Sequence, residues 1–310
     1  MNEIIVKELT KDYGHGRGVY DVSFDVKKGE VFGFLGPNGA GKSTTMRHLM
    51  GFSKPQKGRV IINNLNCWSN HNEVMKNVGY LPGEVTLPEG LNASEFIEMM
   101  KKLKHCENDD YIKYLLEIFQ LDINHDIKSM SIGEKRKLAI IAAFMNDPGV
   151  LLLDEPTSGL DPVMQEVFIE FIQSEKKKGK TVLLSSHIFN EVEALCDRIA
   201  IIKDGKLVSV ITASEIVEYK RKTFEVIFKN KQSYQKFKNT EKIEIRDEQE
   251  KELSLLISLE DSNQLIRTLK KYEIKSLLEK PQTLESYFMH FYQTNRKFGG
   301  IEKYAKHNKS

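Results

Sequence analysis

The chemistry in this chain of 310 residues is concentrated in Gly36-Pro37-Asn38-Gly39-Ala40-Gly41-Lys42-Ser43-Thr44. Gly36, four further residues, then Gly41-Lys42-Ser43 is the spacing of a phosphate-binding P-loop. The apolar run Val31–Leu35 before it predicts a buried strand. Ser43 to Met50 after it predicts a helix, with Met46, Leu49 and Met50 on one side and Gly51 as the stop. Between strand and helix, glycine backbone lets successive amides close around a phosphate, and the helix N-terminus adds positive potential. Lys42 is placed to reach β- and γ-phosphate oxygens and Ser43 to ligate Mg²⁺. A glycine-rich turn with a chance lysine is the structural alternative, and the flanking strand and helix argue against it.

A second centre follows the continuous apolar run Val150–Leu153, which ends in Asp154-Glu155. Such a run marks a strand buried on both faces. Carboxylates at its C-terminal end stand where open α/β sheets bind ligands. Asp154 suits a Mg²⁺ shell and Glu155 suits activation of a water. Two adjacent buried carboxylates with no cation to serve would be costly. Thr181–Leu184 predicts another buried strand, and Ser185-Ser186-His187 closes it at the same edge. Standing alone, His187 reads more readily as structural than as a phosphate contact.

Three further positions have a structural and a functional reading. Ser131-Ile132-Gly133-Glu134 opens the apolar helix running to Asn146, which makes Ser131 and Glu134 a capping box. The same helix start can bind an anion, and both readings can hold together. Asp161-Pro162 starts a helix with Val163, Val167, Phe168, Phe171 and Ile172 on one face, so Asp161 is a good N-cap. Tyr13 opens the loop Tyr13-Gly14-His15-Gly16-Arg17-Gly18, where it can stack on a base or simply be half buried.

The elements that position these groups alternate strand and helix. Ile4–Val6, Val22–Val26, Gly58–Ile62, Asn77–Leu81 and Ile199–Ile202 read as further strands, with turns at Asn63-Asn64 and Asp204-Gly205. Residues 85–128 predict a helical insertion: Phe96, Met99, Met100 and Leu103 form one stripe, and Ile112, Leu115, Leu116 and Phe119 another. Near residue 212 the composition shifts. Alternation at Phe224, Val226 and Phe228, with helical patterns at 262–271 and 283–292, predicts a small α+β domain over 213–310. Its end, Arg296–Ser310, reads as a basic, frayed tail. The fold class expected is α/β, a P-loop domain over 1–212 plus this small domain.

The totals exclude more than they select. Formal net charge is +2, so no global field points to nucleic acid or an acidic surface. Residues 215–310 hold 20 Lys/Arg against 15 Asp/Glu, too mild an asymmetry to decide a partner. Cys67, Cys106 and Cys196 are scattered without metal or disulfide spacing, which suits a reducing cytosol. No basic leader and no apolar run near the ~20 residues of a membrane span is present, so service to a membrane is expected from outside the bilayer.

Taken in order, these motifs resemble the nucleotide-binding subunits of ABC transporters over residues 2–212. Gly36–Thr44 is similar to their Walker A, Leu151–Glu155 to Walker B, Ser158–Asp161 to the D-loop and His187 to the switch histidine. Tyr13 stands where the adenine-stacking aromatic belongs. Two departures stand out. The signature, usually Leu-Ser-Gly-Gly-Gln, is Met130-Ser131-Ile132-Gly133-Glu134, and the Q-loop glutamine expected after Tyr80-Leu81-Pro82 is Gly83, followed by Glu84. Leu81–Glu84 and Pro281–Phe288 resemble drug- and bacteriocin-type exporter ATPases.

The resemblance implies ATP and Mg²⁺ as cofactors and a head-to-tail dimer with ATP at the interface. Lys42 and the P-loop of one protomer would face Ser131, Gly133 and Glu134 of the other, with Asp161 linking the two sites. Glu155 would activate the water, His187 would contact the γ-phosphate, and Ser43, Asp154 and, in place of the missing glutamine, Glu84 would serve the metal. It further implies a separate polytopic permease, export as the task, homo- or heterodimerisation, and a peripheral place on the cytoplasmic face of the membrane, with no nucleic acid partner. An importer subunit and a soluble ATPase acting on ribosomes or DNA are the rival readings. The single cassette and the short insertion disfavour the soluble one.

Overall fold

The computed structural model describes residues 1–212, 222–241, 243–249, 253–259 and 262–280, and the chain divides into two compact units, Met1–Ala213 and Ser214–Ser310. In the first unit an antiparallel sheet comprises β1 (Asn2–Asp12), β2 (Gly18–Lys27), β4 (Lys57–Ile62) and β5 (Leu65–Asn66) in the order β2-β1-β4-β5. A second sheet orders β10 (Lys206–Thr212), β9 (Arg198–Lys203), β3 (Val31–Leu35), β8 (Thr181–Ser186), β7 (Val150–Asp154) and β6 (Val78–Leu81). The strands from β9 to β6 are parallel and β10 is antiparallel to β9. Every residue of β3, β7 and β8 is buried, as expected of strands covered on both faces.

Helix α1 (Lys42–Leu49) joins the sheets into one core. Met46 and Leu49 cluster with Ile4, Val6 and Ile62 of the antiparallel sheet and with Phe34, Leu152 and Leu183 of the parallel one. Next come α2 (His71–Met75), α3 (Ala93–Lys104), α4 (Asp109–Ile118), a 3₁₀ turn at Ile127–Ser129, α5 (Ile132–Phe144), α6 (Pro162–Lys177) and α7 (Phe189–Leu195). Both helices of the insertion start on asparagine caps: Asn92 accepts from Glu95 N and Asn108 from Tyr111 N. Phe119 and Phe144 each set a ring edge against Phe171, which packs the insertion, α5 and α6 together.

Two apolar positions differ from their sequence reading. Leu103 is 67 % exposed, because α3 turns Ala93, Phe96 and Ile97 inward instead. Val163 is 70 % exposed, and the neighbouring Met164 faces the core in its place. The short strand β5 and the helix α2 also lack a sequence signal, since each is brief.

In the second unit, β11 (Lys222–Phe228), α8 (Lys231–Thr240), β12 (Glu244–Gln249), β13 (Ser254–Leu259), α9 (Ser262–Leu269) and β14 (Ile274–Lys280) follow one another. Sheet order β12-β13-β11-β14 with all neighbours antiparallel is a split βαβ arrangement of the ferredoxin-like type. Phe224, Val226, Phe228, Tyr234, Phe237, Leu255, Ile257 and Leu265 form its core. The expected helix at 283–292, the Pro281–Phe288 motif and the basic tail lie outside the described residues.

Candidate functional site

The register of the parallel strands sets the candidate site. Leu35 pairs with Ser186, Asp154 with Ser185 and Leu81 with Leu153, so the loops after β3, β6, β7 and β8 emerge together at one edge. The Ser185 carbonyl accepts from Glu155 N at 2.9 Å, tying two of these loops by their backbones. Ligand crevices of open α/β sheets form at this edge.

Gly41 caps α1 at φ 112, a conformation that side-chain-bearing residues avoid, and turns the chain from loop into helix. Gly36, Ala40, Gly41 and Lys42 are buried, whereas Pro37, Asn38, Gly39 and Ser43 face outward and Thr44 is half buried. Lys42 Nζ donates to the carbonyls of Gly36 at 2.6 Å and Pro37 at 3.3 Å. It also lies 3.0 Å from Glu155 Oε1. The other carboxylate oxygen of Glu155 is 2.5 Å from His187 Nδ1. Glu155 has a left-handed backbone, φ 49, and conformations of this kind cost about 1–3 kcal/mol and concentrate at functional sites. Asp154 is buried and accepts a hydrogen bond from Ser185 Oγ.

Lys42, Asp154, Glu155 and His187 therefore form one cluster. Gly83 joins it through its backbone, since a Cβ there would stand 3.3 Å from Asp154 Oδ2. Glu84 is exposed and, among the described residues, makes no hydrogen bond or ion pair. Tyr13 is exposed with Lys11 Nζ 5.6 Å from its ring centre. Its loop ends at Gly18, whose carbonyl is 3.3 Å from where a Cβ on Gly41 would stand.

Ser131, Gly133, Glu134 and Asp161 make a separate group. Ser131 Oγ accepts from Glu134 N at 3.2 Å, and Ser131 N and Oγ donate to Glu134 Oε2 at 2.8 and 2.7 Å. These bonds hold the Glu134 carboxyl below its usual pKa. Asp161 Oδ1 caps α6 by accepting from Met164 N at 3.0 Å. Among the described residues no hydrogen bond joins this group directly to Lys42, Glu155 or His187.

A family model described as ABC transporter matches residues 19–158. Over 231 residues the chain is 36 % identical to the bacitracin transport ATP-binding protein BcrA of Bacillus licheniformis, which covers 73 % of this chain and 75 % of that one. The chain belongs to the ABC transporter family. It is also 34 % identical over 221 residues to the Nod factor export ATP-binding protein I of Burkholderia lata, covering 68 % of this chain and 71 % of that protein. Among solved structures, a dimeric post-hydrolysis state of the ATP-binding cassette MJ0796 with ADP and Pi matches at TM-score 0.61 and 27 % identity, covering 68 % of this chain and 98 % of that one. As an ABC transporter ATP-binding protein, the chain is an ATPase with a P-loop NTPase core. Among the described residues no helix is long and apolar enough to cross a membrane.

Three residues around this ABC site escape the motif reading. Ser185 orients Asp154. Glu191 of α7 is buried, accepts from Ser186 Oγ at 2.6 Å and is pushed up to about 7 by desolvation. Arg136 of α5 is buried beneath the Gly83 loop, donating to carbonyls on two loops. Ser185 stands in the Ser185-Ser186-His187 strand end and Glu191 one turn beyond His187, whereas Arg136 has no sequence signal.

Proposed function

We propose that the chain is the ATP-hydrolysing subunit of an exporter, acting as a dimer at the cytoplasmic face of a membrane on a permease carried by another chain. The observation that supports the ATP-hydrolysing role most is the placement of Glu155 between Lys42 and His187 at the strand edge. The Glu155 carboxylate, 3.0 Å from Lys42 Nζ, offers it the kind of negative charge that a γ-phosphate carries. The site therefore fits an anion of that kind: the cation is preorganised, and the carboxylate that holds it also lies beside the histidine.

In this reading the amides of Gly39–Thr44 and Lys42 hold the β- and γ-phosphates. Tyr13 stacks on the adenine. Glu155 turns from Lys42 to accept a proton from the attacking water, and His187 steadies the γ-phosphate oxygens. The Asp154 carboxylate and the Ser43 hydroxyl are hard oxygen donors of the sort Mg²⁺ requires. When bound, Mg²⁺ would neutralise charge on the β- and γ-phosphate oxygens. Gly83 leaves the Q-loop without a side chain at Asp154, and Glu84 could replace it only by turning inward. Ser131, Gly133, Glu134 and Asp161 would complete the site of a second copy, a reading supported by the dimeric state of the MJ0796 cassette. The similarity to the bacitracin transport and Nod factor export ATP-binding proteins supports transport and export as the class of task.

The test is purification of tagged Glu155→Gln protein from detergent-solubilised native membranes, with and without ATP. Co-purification of one polytopic membrane protein, whose reconstitution raises the ATPase rate of the wild-type chain, is expected. Recovery with ribosomes or DNA and no membrane protein would overturn the transport reading and leave the ATPase intact.

A further inference from the structure

Helix α5 sends a buried cation beneath the hydrolytic carboxylates. Arg136 is only 5 % exposed and donates Nη1–H to Pro82 O at 2.8 Å, Nη2–H to Gly83 O at 2.5 Å and Nε–H to Ser158 O at 2.9 Å. The first two acceptors lie in the loop after β6 and the third in the loop after β7. Burial lowers the guanidinium pKa, and the first opposing influences are the charges of Asp154 and Glu155. Its positive charge is thus felt by both carboxylates, although it touches neither.

The start of the same helix grips the loop after β7 a second time. Ile132 Cγ2 lies 2.8 Å from where a Cβ on Gly159 would stand, so the isoleucine packs on that glycine. Ile132 is otherwise 78 % exposed. Gly83 itself backs onto Asp154, which means that a shift of the Pro82-Gly83 backbone displaces the surface against which Asp154 rests. A guanidinium that satisfies three carbonyls in a rigid planar fork fixes relative position better than a flexible ammonium can.

We propose that Arg136 is a positioning residue for ATP hydrolysis. It locks the main chain of Pro82-Gly83 to that of Ser158 and so holds Asp154 and Glu155 in reactive register, a task that the residue at Gly83 cannot perform through a side chain. The same lock transmits any displacement of the loop after β6 to the loop after β7 and to the first turn of α5. This deepens the ATPase reading and depends on Asp154 and Glu155 being the hydrolytic carboxylates.

The experiment compares the full-length wild type with Arg136→Met, Arg136→Lys and Glu155→Gln. ATPase rate against ATP concentration, melting temperature, binding of a fluorescent ATP analogue and amide hydrogen exchange are read for each. In Arg136→Met a kcat lower by roughly 10- to 100-fold is expected, the scale of a misplacement near 1 Å, with KM and analogue affinity within about twofold of wild type. Exchange should quicken at residues 82–86 and 157–160 and stay unchanged along 138–144. Arg136→Lys, able to reach fewer of the three carbonyls, should recover part of kcat and part of the protection. A kcat within about twofold of wild type overturns the proposal, as does a loss that follows melting temperature equally in both variants with no recovery by lysine. Full turnover in Glu155→Gln would instead overturn the underlying assignment of the carboxylates, whatever Arg136 does.

Discussion

Lys42 Nζ and Glu155 Oε1 stand 3.0 Å apart, the lysine 5 % and the glutamate 16 % exposed. One carboxylate thus neutralises the cation that, in the proposed site, a γ-phosphate would claim. Glu155→Gln removes the competing charge together with the proton acceptor. Tighter ATP binding and a turnover lower by about 100-fold or more are expected, the usual scale for loss of a general base. Equilibrium binding of a fluorescent ATP analogue and a phosphate-release assay measure the two effects. Weaker binding in the variant would show that the ion pair does not compete with nucleotide.

Ser185 donates to Asp154 from inside the sheet, with both side chains buried. Ser185→Ala leaves that carboxylate oxygen unpaired and free to rotate. Loss of an orienting partner typically weakens a metal site by about 10–100-fold. The Mg²⁺ concentration for half-maximal ATPase activity should rise by about 10-fold. Unfolding free energy should fall by about 1–3 kcal/mol, the penalty of an unsatisfied buried acceptor. A Mg²⁺ titration and a urea melt read the two separately, and an unchanged Mg²⁺ midpoint would remove Ser185 from this role.

Much of this arrangement is legible in the sequence because the groups sit at element ends. Lys42 opens a helix, Asp154-Glu155 and His187 follow strands, and apolar runs announce strands that are buried on both faces. Arg136 is illegible for the opposite reason. It stands mid-helix with no motif to mark it, and its burial depends on Pro82, Gly83 and Ser158, which arrive from other parts of the chain. Leu103 and Val163 mislead in the reverse sense: apolar side chains at helical spacing that the fold leaves in solvent. The second unit has no chemical motif, and alternation at Phe224, Val226 and Phe228 reveals a strand without revealing the split βαβ order, which depends on long-range pairing.

Glu191 gives the chain a pH-dependent stability. Desolvation raises its pKa from 4.5 to about 7, while Ser186 Oγ donates to it at 2.6 Å. Between these values the folded chain binds more protons than the unfolded chain, so stability falls as pH rises from about 4.5 through about 7. The loss contributed by this group is at most about 3 kcal/mol, at 1.36 kcal/mol per pKa unit. Glu191→Gln cannot ionise and should flatten that part of the profile. Urea melts of both proteins from pH 5 to pH 8 measure it. Parallel profiles would show that another group sets the slope.

Phe228 is the centre of the second unit's core. It is 1 % exposed, and its ring centroid lies 5.9 Å from that of Tyr234, 5.3 Å from Phe237 and 6.5 Å from Tyr272. Phe228→Ala empties a site where three aromatic rings converge, and large-to-small changes of this kind cost about 3–5 kcal/mol. That is a large share of the stability of a small unit. The core of Met1–Ala213 shares no residue with this cluster. The variant should therefore be cut rapidly by trypsin within 214–280 while a resistant fragment corresponding to the first unit survives, and calorimetry should show one transition moving down ahead of the other. A single transition shifted as a whole, with no resistant fragment, would mean that the two units unfold as one cooperative body.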